Sequence, residues 1–230
     1  MEFDILTLFP EMFETVFDAS LLGKAREKGL VEIRIHHLRD WGKGKHDSVD
    51  DRPYGGGPGM VIKPEPVMEA VEAIQAERDP RPEPVLLTPR GQRLTQDQVE
   101  SFAGSTRPLL LICGHYEGFD ERIRTLLEPR EISIGDFVLS GGEIPAMVLV
   151  DAISRLVPGV VGDPTSLEEE SFTTGQLDFP QYTRPREYRG LDVPDVLLSG
   201  DHQAIEEWRL EQAENVTREH RPDLQDEEND

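Results

Sequence analysis

Apolar and polar positions alternate from residue 2 to 8 and again from 31 to 38, which predicts two strands. Between them Pro10 opens a helical pattern over 10–27 that stops near Gly29. Residues 64–78 carry a helical period, and 84–88 (PVLLT) read as a strand. Thr95 and Gln98 have capping-box spacing and open a helix to about 103. The run 108–113 is apolar throughout, as a strand buried on both faces would be. Helix 119–128, strand 131–134 and helix 143–157 follow. Strands alternating with helices predict an α/β fold with a mostly parallel sheet. Residues 158–195 lose the pattern and carry only a short helical turn near 165–171, and Asp201 caps a final helix to about 219. The expected organisation is a domain over 1–160, a flexible linker over 161–195 and a helical domain over 196–230 with an acidic tail.

At 230 residues the chain is long enough to bury one real core without staples. Its single cysteine, Cys113, rules out an internal disulfide and a cysteine-rich zinc site, and its apolar run predicts an inert buried thiol. No stretch reaches the roughly 18 apolar residues of a membrane span, and the acidic N-terminus does not read as a secretory signal. The expectation is a cytoplasmic protein with no membrane contact. The net charge of −22 would ordinarily argue against a polyanionic partner. However, arginine outnumbers lysine among the cations, and excess carboxylate with arginine is what a salty cytoplasm could select. In such a medium screening shrinks to about 3 Å at 1 M, so net charge says little about partners.

Residues 39–63 are long for a loop, which points to function. They hold Gly55, Gly56, Gly57 and Gly59, interrupted by Pro58, flanked by Arg39, Lys43, Lys45, His46 and Arg52. In so acidic a chain this local basic cluster reads as an anion-facing loop, the plainer alternative being a flexible turn. Glycine-bearing segments also follow three strands: Thr88-Pro89-Arg90-Gly91, 114–118 (GHYEG) and 134–143 (IGDFVLSGGE). Open α/β sheets bind ligands at the carboxyl ends of strands, so the three could converge on one pocket, although each alone could be a turn. Dinucleotide, P-loop, zincin and hydrolase-elbow motifs are absent. Arg155, four residues after Asp151, reads from spacing as a surface ion pair, and 168–170 reads as a solvated acidic face.

Five segments together resemble one family: DDRPYGGGPGM at 50–60, CGHYEGFDERI at 113–123, SIGDFVLSGGEIPAM at 133–147, LDFPQYTRP at 177–185 and VPDVLLSGDH at 193–202. They are similar to the bacterial tRNA (guanine-N1)-methyltransferases of the TrmD type, in register from Leu6 to about Arg221. The resemblance implies a SPOUT-type sheet with a deep trefoil knot, a small helical C-terminal domain that helps grip tRNA, and an obligate homodimer. It implies methyl transfer from S-adenosylmethionine to ring nitrogen 1 of guanosine at tRNA position 37. It also implies a Mg2+ requirement, for which the sequence offers no site.

Carried onto this chain, the cofactor loops are Leu86, Leu87, Thr88 and Pro89; Gly114, Tyr116 and Glu117; and Ile134, Gly135, Asp136, Phe137, Val138, Leu139, Ser140, Gly141 and Gly142, with Pro145 after them. Arg155 matches the arginine assigned to the guanine O6, which displaces its reading as a plain ion pair. The family's general-base aspartate precedes Ser-Phe, and here Glu170 stands in that place, with Glu169 and Asp178 as alternatives. With tRNA as partner, Arg39, Lys43, Lys45, Arg52, Tyr54, Gly55, Gly56 and Gly57 become the candidates to meet RNA. Two other readings stay open on sequence alone: a SPOUT enzyme acting on another RNA site, against which the C-terminal segment argues, and an RNA- or protein-binding module without chemistry.

Overall fold

A computed structural model describes residues 1–167 and 170–226. Glu168 and Glu169 lie outside the described residues, and with them the second candidate base. The chain divides into two compact units, Met1–Gly162 and Asp163–Asp230.

The first unit is built on a five-stranded parallel sheet in the order β2-β1-β6-β5-β7. Its strands are β1 (Glu2–Thr7), β2 (Glu32–His37), β5 (Glu83–Arg93), β6 (Leu109–Cys113) and β7 (Arg130–Ser133). The apolar run predicted to be buried on both faces is the central strand, and every residue of β6 is buried. Alternation along the strands sends side chains to two cores. Phe3, Ile5, Val85, Leu87, Leu109 and Leu111 enter one, with Phe13, Phe17, Val99, Phe102 and Leu149 from the covering helices. Leu6, Leu86, Leu110 and Ile112 enter the other, with Val67, Val71, Ile74 and Ile123. Helices α1 (Glu14–Phe17), α2 (Ser20–Glu27), α4 (Gln96–Ala103) and α6 (Glu143–Ser154) supply the first layer, and α3 (Pro64–Ala76) and α5 (Glu121–Leu127) the second.

Three local differences from the sequence pattern have physical causes. The helix expected over 10–27 breaks into a 3-10 turn (Pro10–Met12), α1 and α2, because the chain turns at Ser20 (φ 53°) and Gly23 then packs directly on the Asp18 carbonyl. Second, residues 39–63 are no simple loop. They form a 3-10 turn at Leu38–Trp41 and an antiparallel ribbon, β3 (Asp50–Asp51) with β4 (Val61–Ile62), whose tip holds the glycines. Third, β5 runs beyond the predicted 84–88. Its pairing with β7 shifts between Leu87 and Gln92, both of which face Ile132, so Thr88 to Gly91 is looped out of the ladder.

The second unit contains the hairpin β8 (Glu187–Tyr188) and β9 (Leu191–Asp192), α7 (His202–His220) and α8 (Asp223–Asp226). Asp201 caps α7 by accepting from the Gln203 and Ala204 amides. Buried Thr217 ties 177 to this helix, since the Leu177 amide donates to its hydroxyl at 2.9 Å. Among the described residues no helix is long and apolar enough to cross a membrane.

Candidate active site

The carboxyl ends of β5, β6 and β7 open into one cavity of about 350 Å3 in the first unit. That size falls within the usual range of small-molecule sites, about 300–1,000 Å3. All three glycine-bearing segments line it: Leu87 to Arg90, Gly114 to Phe119, and Ile132 to Gly142 apart from Asp136, with Pro145. Two of the residues carried over by resemblance are placed differently. The Leu86 side chain is packed in the second core, and Asp136 is exposed away from the lining. Arg90, His115, Phe119, Arg124 and Ser133 also line the cavity, though none was assigned to the cofactor. All but Arg124 stood inside a quoted segment, but nothing in spacing tells which side of a loop faces inward.

Glycine is required where backbones close on one another. Gly142 donates its amide to the Gly114 carbonyl at 2.8 Å, and His115 bridges to Gly141 as an isolated antiparallel pair. A Cβ on Gly91 would fall 2.5 Å from the Ile132 amide, so the looped-out end of β5 lies directly against β7.

The glycine ribbon is joined to this wall. The Glu117 amide donates to Met60 O at 3.0 Å and the Ile62 amide to Gly118 O at 2.9 Å. Its tip residues Gly55, Gly56 and Gly57 all have positive φ, a conformation open to glycine at little cost. Tyr54 is fully exposed and Lys45, His46 and Arg52 are exposed, whereas Lys43 pairs with Glu69 and Arg39 is half-buried.

Beneath the cavity the acidic Glu143 is buried between Thr7 and His115. Burial, and secondarily the Glu143 carboxylate, pushes the Cys113 thiol well above its ordinary value, so the lone cysteine is inert as expected.

Arg155 caps the C-terminus of α6, its amide donating to Asp151 O at 3.2 Å. Glu170 and Asp178, two of the three candidate bases, share a second cavity of about 250 Å3 within the Asp163–Asp230 unit, together with Arg209 and Leu210. Asp178 Oδ2 accepts from Gln181 at 3.3 Å, while its buried Oδ1 has no hydrogen-bond partner among the described residues. The Arg209 guanidinium lies over the Phe179 ring at 4.8 Å. This unit also exposes Arg184, Arg186 and Arg189 beside Tyr182 and Tyr188, with Arg189 over the Tyr188 ring at 5.1 Å. Basic residues interleaved with aromatics were legible at 182–189, but the strongly acidic average of the chain hid them.

Among the described residues no group of three His, Cys, Asp or Glu side chains is placed to hold a metal ion.

Residues 1–227 match the model of the family described as tRNA (Guanine-1)-methyltransferase TrmD. The chain is similar to the tRNA (guanine-N(1)-)-methyltransferase of Dictyoglomus turgidum, at 54% identity over 97% of this chain and 89% of that protein. It is 52% identical to the protein of the same name from Bacillus cereus, over 99% and 93% of the two chains. The Dehalococcoides mccartyi protein of that name is 53% identical, over 97% and 90%.

Proposed function

Because the chain belongs to the TrmD-type tRNA (guanine-1)-methyltransferase family, we propose that it transfers the methyl group of S-adenosylmethionine to ring nitrogen 1 of the guanosine at tRNA position 37, beside the anticodon. The observation that carries this reading is the glycine-lined cavity at the carboxyl ends of β5, β6 and β7. The donor fits such a wall. The exposed apolar side chains of Phe137, Val138 and Leu139 would take its adenine and the backbone of the 114–118 and 134–142 loops would take its polar groups. When bound, it supplies an electrophilic methyl group on a sulfonium.

The work left to the side chains is alignment and proton removal. Holding two reactants in line supplies at most about 7–11 kcal/mol of the barrier. Guanine nitrogen 1 carries a proton, which Glu170 takes as general base. Its extra methylene relative to aspartate is a matter of reach, which counts before pKa. Asp178, on the same cavity and with an oxygen left without a partner, is the alternative base. As the proton leaves, charge grows on O6, where the planar guanidinium of Arg155 stabilises it more in the transition state than in the ground state. The target base leaves its stack to be reached. Mg2+ belongs to what the resemblance implies, and no step here is assigned to it.

Three further features complete the proposal. The path of the chain through the 86–142 region is a trefoil knot, a reading supported by the tight approach of the looped-out Gly91 to the backbone of β7. The protein acts as a homodimer, supported by the large apolar side chains of Phe9, Met12, Val16, Leu21, Ile144 and Val148 left exposed on the first unit. The helical C-terminal part grips tRNA, supported by Arg184, Arg186 and Arg189 beside exposed tyrosines.

The test is methyl transfer to a transcript with guanosine at position 37 and to its adenosine variant, measured across salt. Transfer to the first alone is expected. Equal transfer to both, or none to either with the donor bound, overturns the assignment.

A further inference from the structure

Glu143 is the first residue of α6, and only 1% of it is exposed. One carboxylate oxygen accepts from the Thr7 hydroxyl at 2.5 Å, and the other meets His115 Nε2 at 2.7 Å. Thr7 is the buried end of β1 and accepts from the Phe9 amide at 2.9 Å. His115 lies on the cavity wall, its ring 4.9 Å from that of Phe9. A single carboxylate therefore joins three segments far apart in sequence: the end of β1, the loop after β6 and the start of α6.

Burying a carboxylate is costly, and a well-packed apolar cluster would often be as stable. The hydroxyl, the imidazole and the N-terminus of α6 offset the cost here. The carboxylate does something an apolar cluster cannot, because it dictates orientation. Its contact with His115 Nε2 fixes the direction in which the ring points. The same ring and carboxylate lie under the cofactor loops. A side chain on Gly141 would strike the His115 ring and would come within 2.5 Å of Glu143 Oε2.

We infer that Glu143 is a positioning residue of the donor site, acting through His115 to hold the 114–118 loop at its spacing from Gly141 and Gly142. This rests on the reading of the cavity as the S-adenosylmethionine site. The Thr7–Glu143–His115 bracket sets donor affinity.

The experiment compares the full-length wild type with Glu143→Gln, His115→Gln, the double variant and Gly141→Val. Donor affinity comes from calorimetry with S-adenosylmethionine, and KM and kcat from methylation of tRNA. In Glu143→Gln the charge is lost, and the single amide oxygen can no longer serve Thr7 and His115 through two separate acceptor atoms. The donor KM rises about tenfold, the scale of one lost charge-assisted hydrogen bond. The double variant is no worse than His115→Gln alone, because Glu143 acts through that ring. An unchanged donor KM in Glu143→Gln, or strictly additive losses in the double variant, overturns the positioning role. If Glu143→Gln does not fold, Thr7→Val removes one donor from the bracket and is expected to raise the donor KM in the same direction; no rise overturns the proposal. Wild-type protein that binds no donor, or binding indifferent to Gly141→Val, overturns the cavity assignment itself. Loss in Gly141→Val without loss in Glu143→Gln overturns only the role of Glu143.

Discussion

The amide of Gly142 donates to the carbonyl of Gly114 at 2.8 Å, and a methyl group on Gly142 would fall 2.6 Å from the Cα of Cys113. The obstacle is backbone of the central strand, which cannot swing aside as a side chain would. Gly142→Ala therefore has to part the two loops. Overpacking of this kind costs about 1–3 kcal/mol, and the expected loss of S-adenosylmethionine affinity is about tenfold or more. Calorimetry checks it, and unchanged affinity would show that the loops do not clasp the donor.

Glu170 and Asp178 share one cavity, so the geometry alone leaves both as candidates for the base. Glu170→Gln is expected to lower kcat by about 10²–10⁴, the usual contribution of a positioned base, with the donor affinity unchanged. Arg155→Ala should act in the same sense, on turnover more than on donor binding. Single-turnover methylation of these two variants, with Asp178→Ala and Glu170→Asp beside them, decides. Near-normal turnover in Glu170→Gln with loss in Asp178→Ala would transfer the role to Asp178. A gain in Glu170→Asp would show that the extra methylene costs reach.

Lys45, before the glycine ribbon, and Arg52, within it and two residues from the fully exposed Tyr54, are exposed cations. Replacing either by alanine should weaken tRNA binding without changing donor affinity. Each lost phosphate contact lowers the slope of log affinity against log salt by about 0.7–0.9. Titrations at several salt concentrations read this directly, and an unaltered slope would remove the ribbon from the RNA surface.

Asp4, in β1, is 1% exposed and is held by His36 Nε2 at 2.8 Å and Arg78 Nε at 2.9 Å. Burial alone would raise its pKa, but the hydrogen bonds from His36 and Arg78, with the charge of Arg78, outweigh it and hold the carboxyl below its ordinary 3.8. A depressed folded-state value stabilises the protein fully above the ordinary carboxylate range. That contribution fades as pH falls through the folded value. Asp4→Asn should cost about 3 kcal/mol near neutral pH, since it leaves the guanidinium of Arg78 short of a buried partner. The gap to wild type should narrow below pH 4. Urea melts at stepped pH test this, and a gap that persists into acid would mean that packing rather than charge is lost.

Much of the first unit is legible in the order of residues. The apolar run ending at Cys113 reads as a doubly buried strand and is one, the Thr95–Gln98 pair opens a helix where the capping box is found, and Asp201 caps α7. The glycines after three strands mark the cavity because open sheets offer their carboxyl ends to ligands. Other features depend on distance in space, which spacing along the chain does not encode. Glu143 reads in sequence as a helix start and becomes the buried anchor of Thr7 and His115, 136 and 28 residues away. Residues 39–63 look structureless because a two-residue strand such as β3 is too short to show a period, and its partner β4 and the Gly118 loop supply its order. The looped-out 88–91 segment is set by the close approach of Gly91 to Ile132, a meeting that only the folded sheet brings about. Local pattern determined which segments are strands, helices and turns, because propensity and burial act residue by residue. Which side chains share a cavity was decided by the crossovers of the parallel sheet, which bring distant strand ends to one edge.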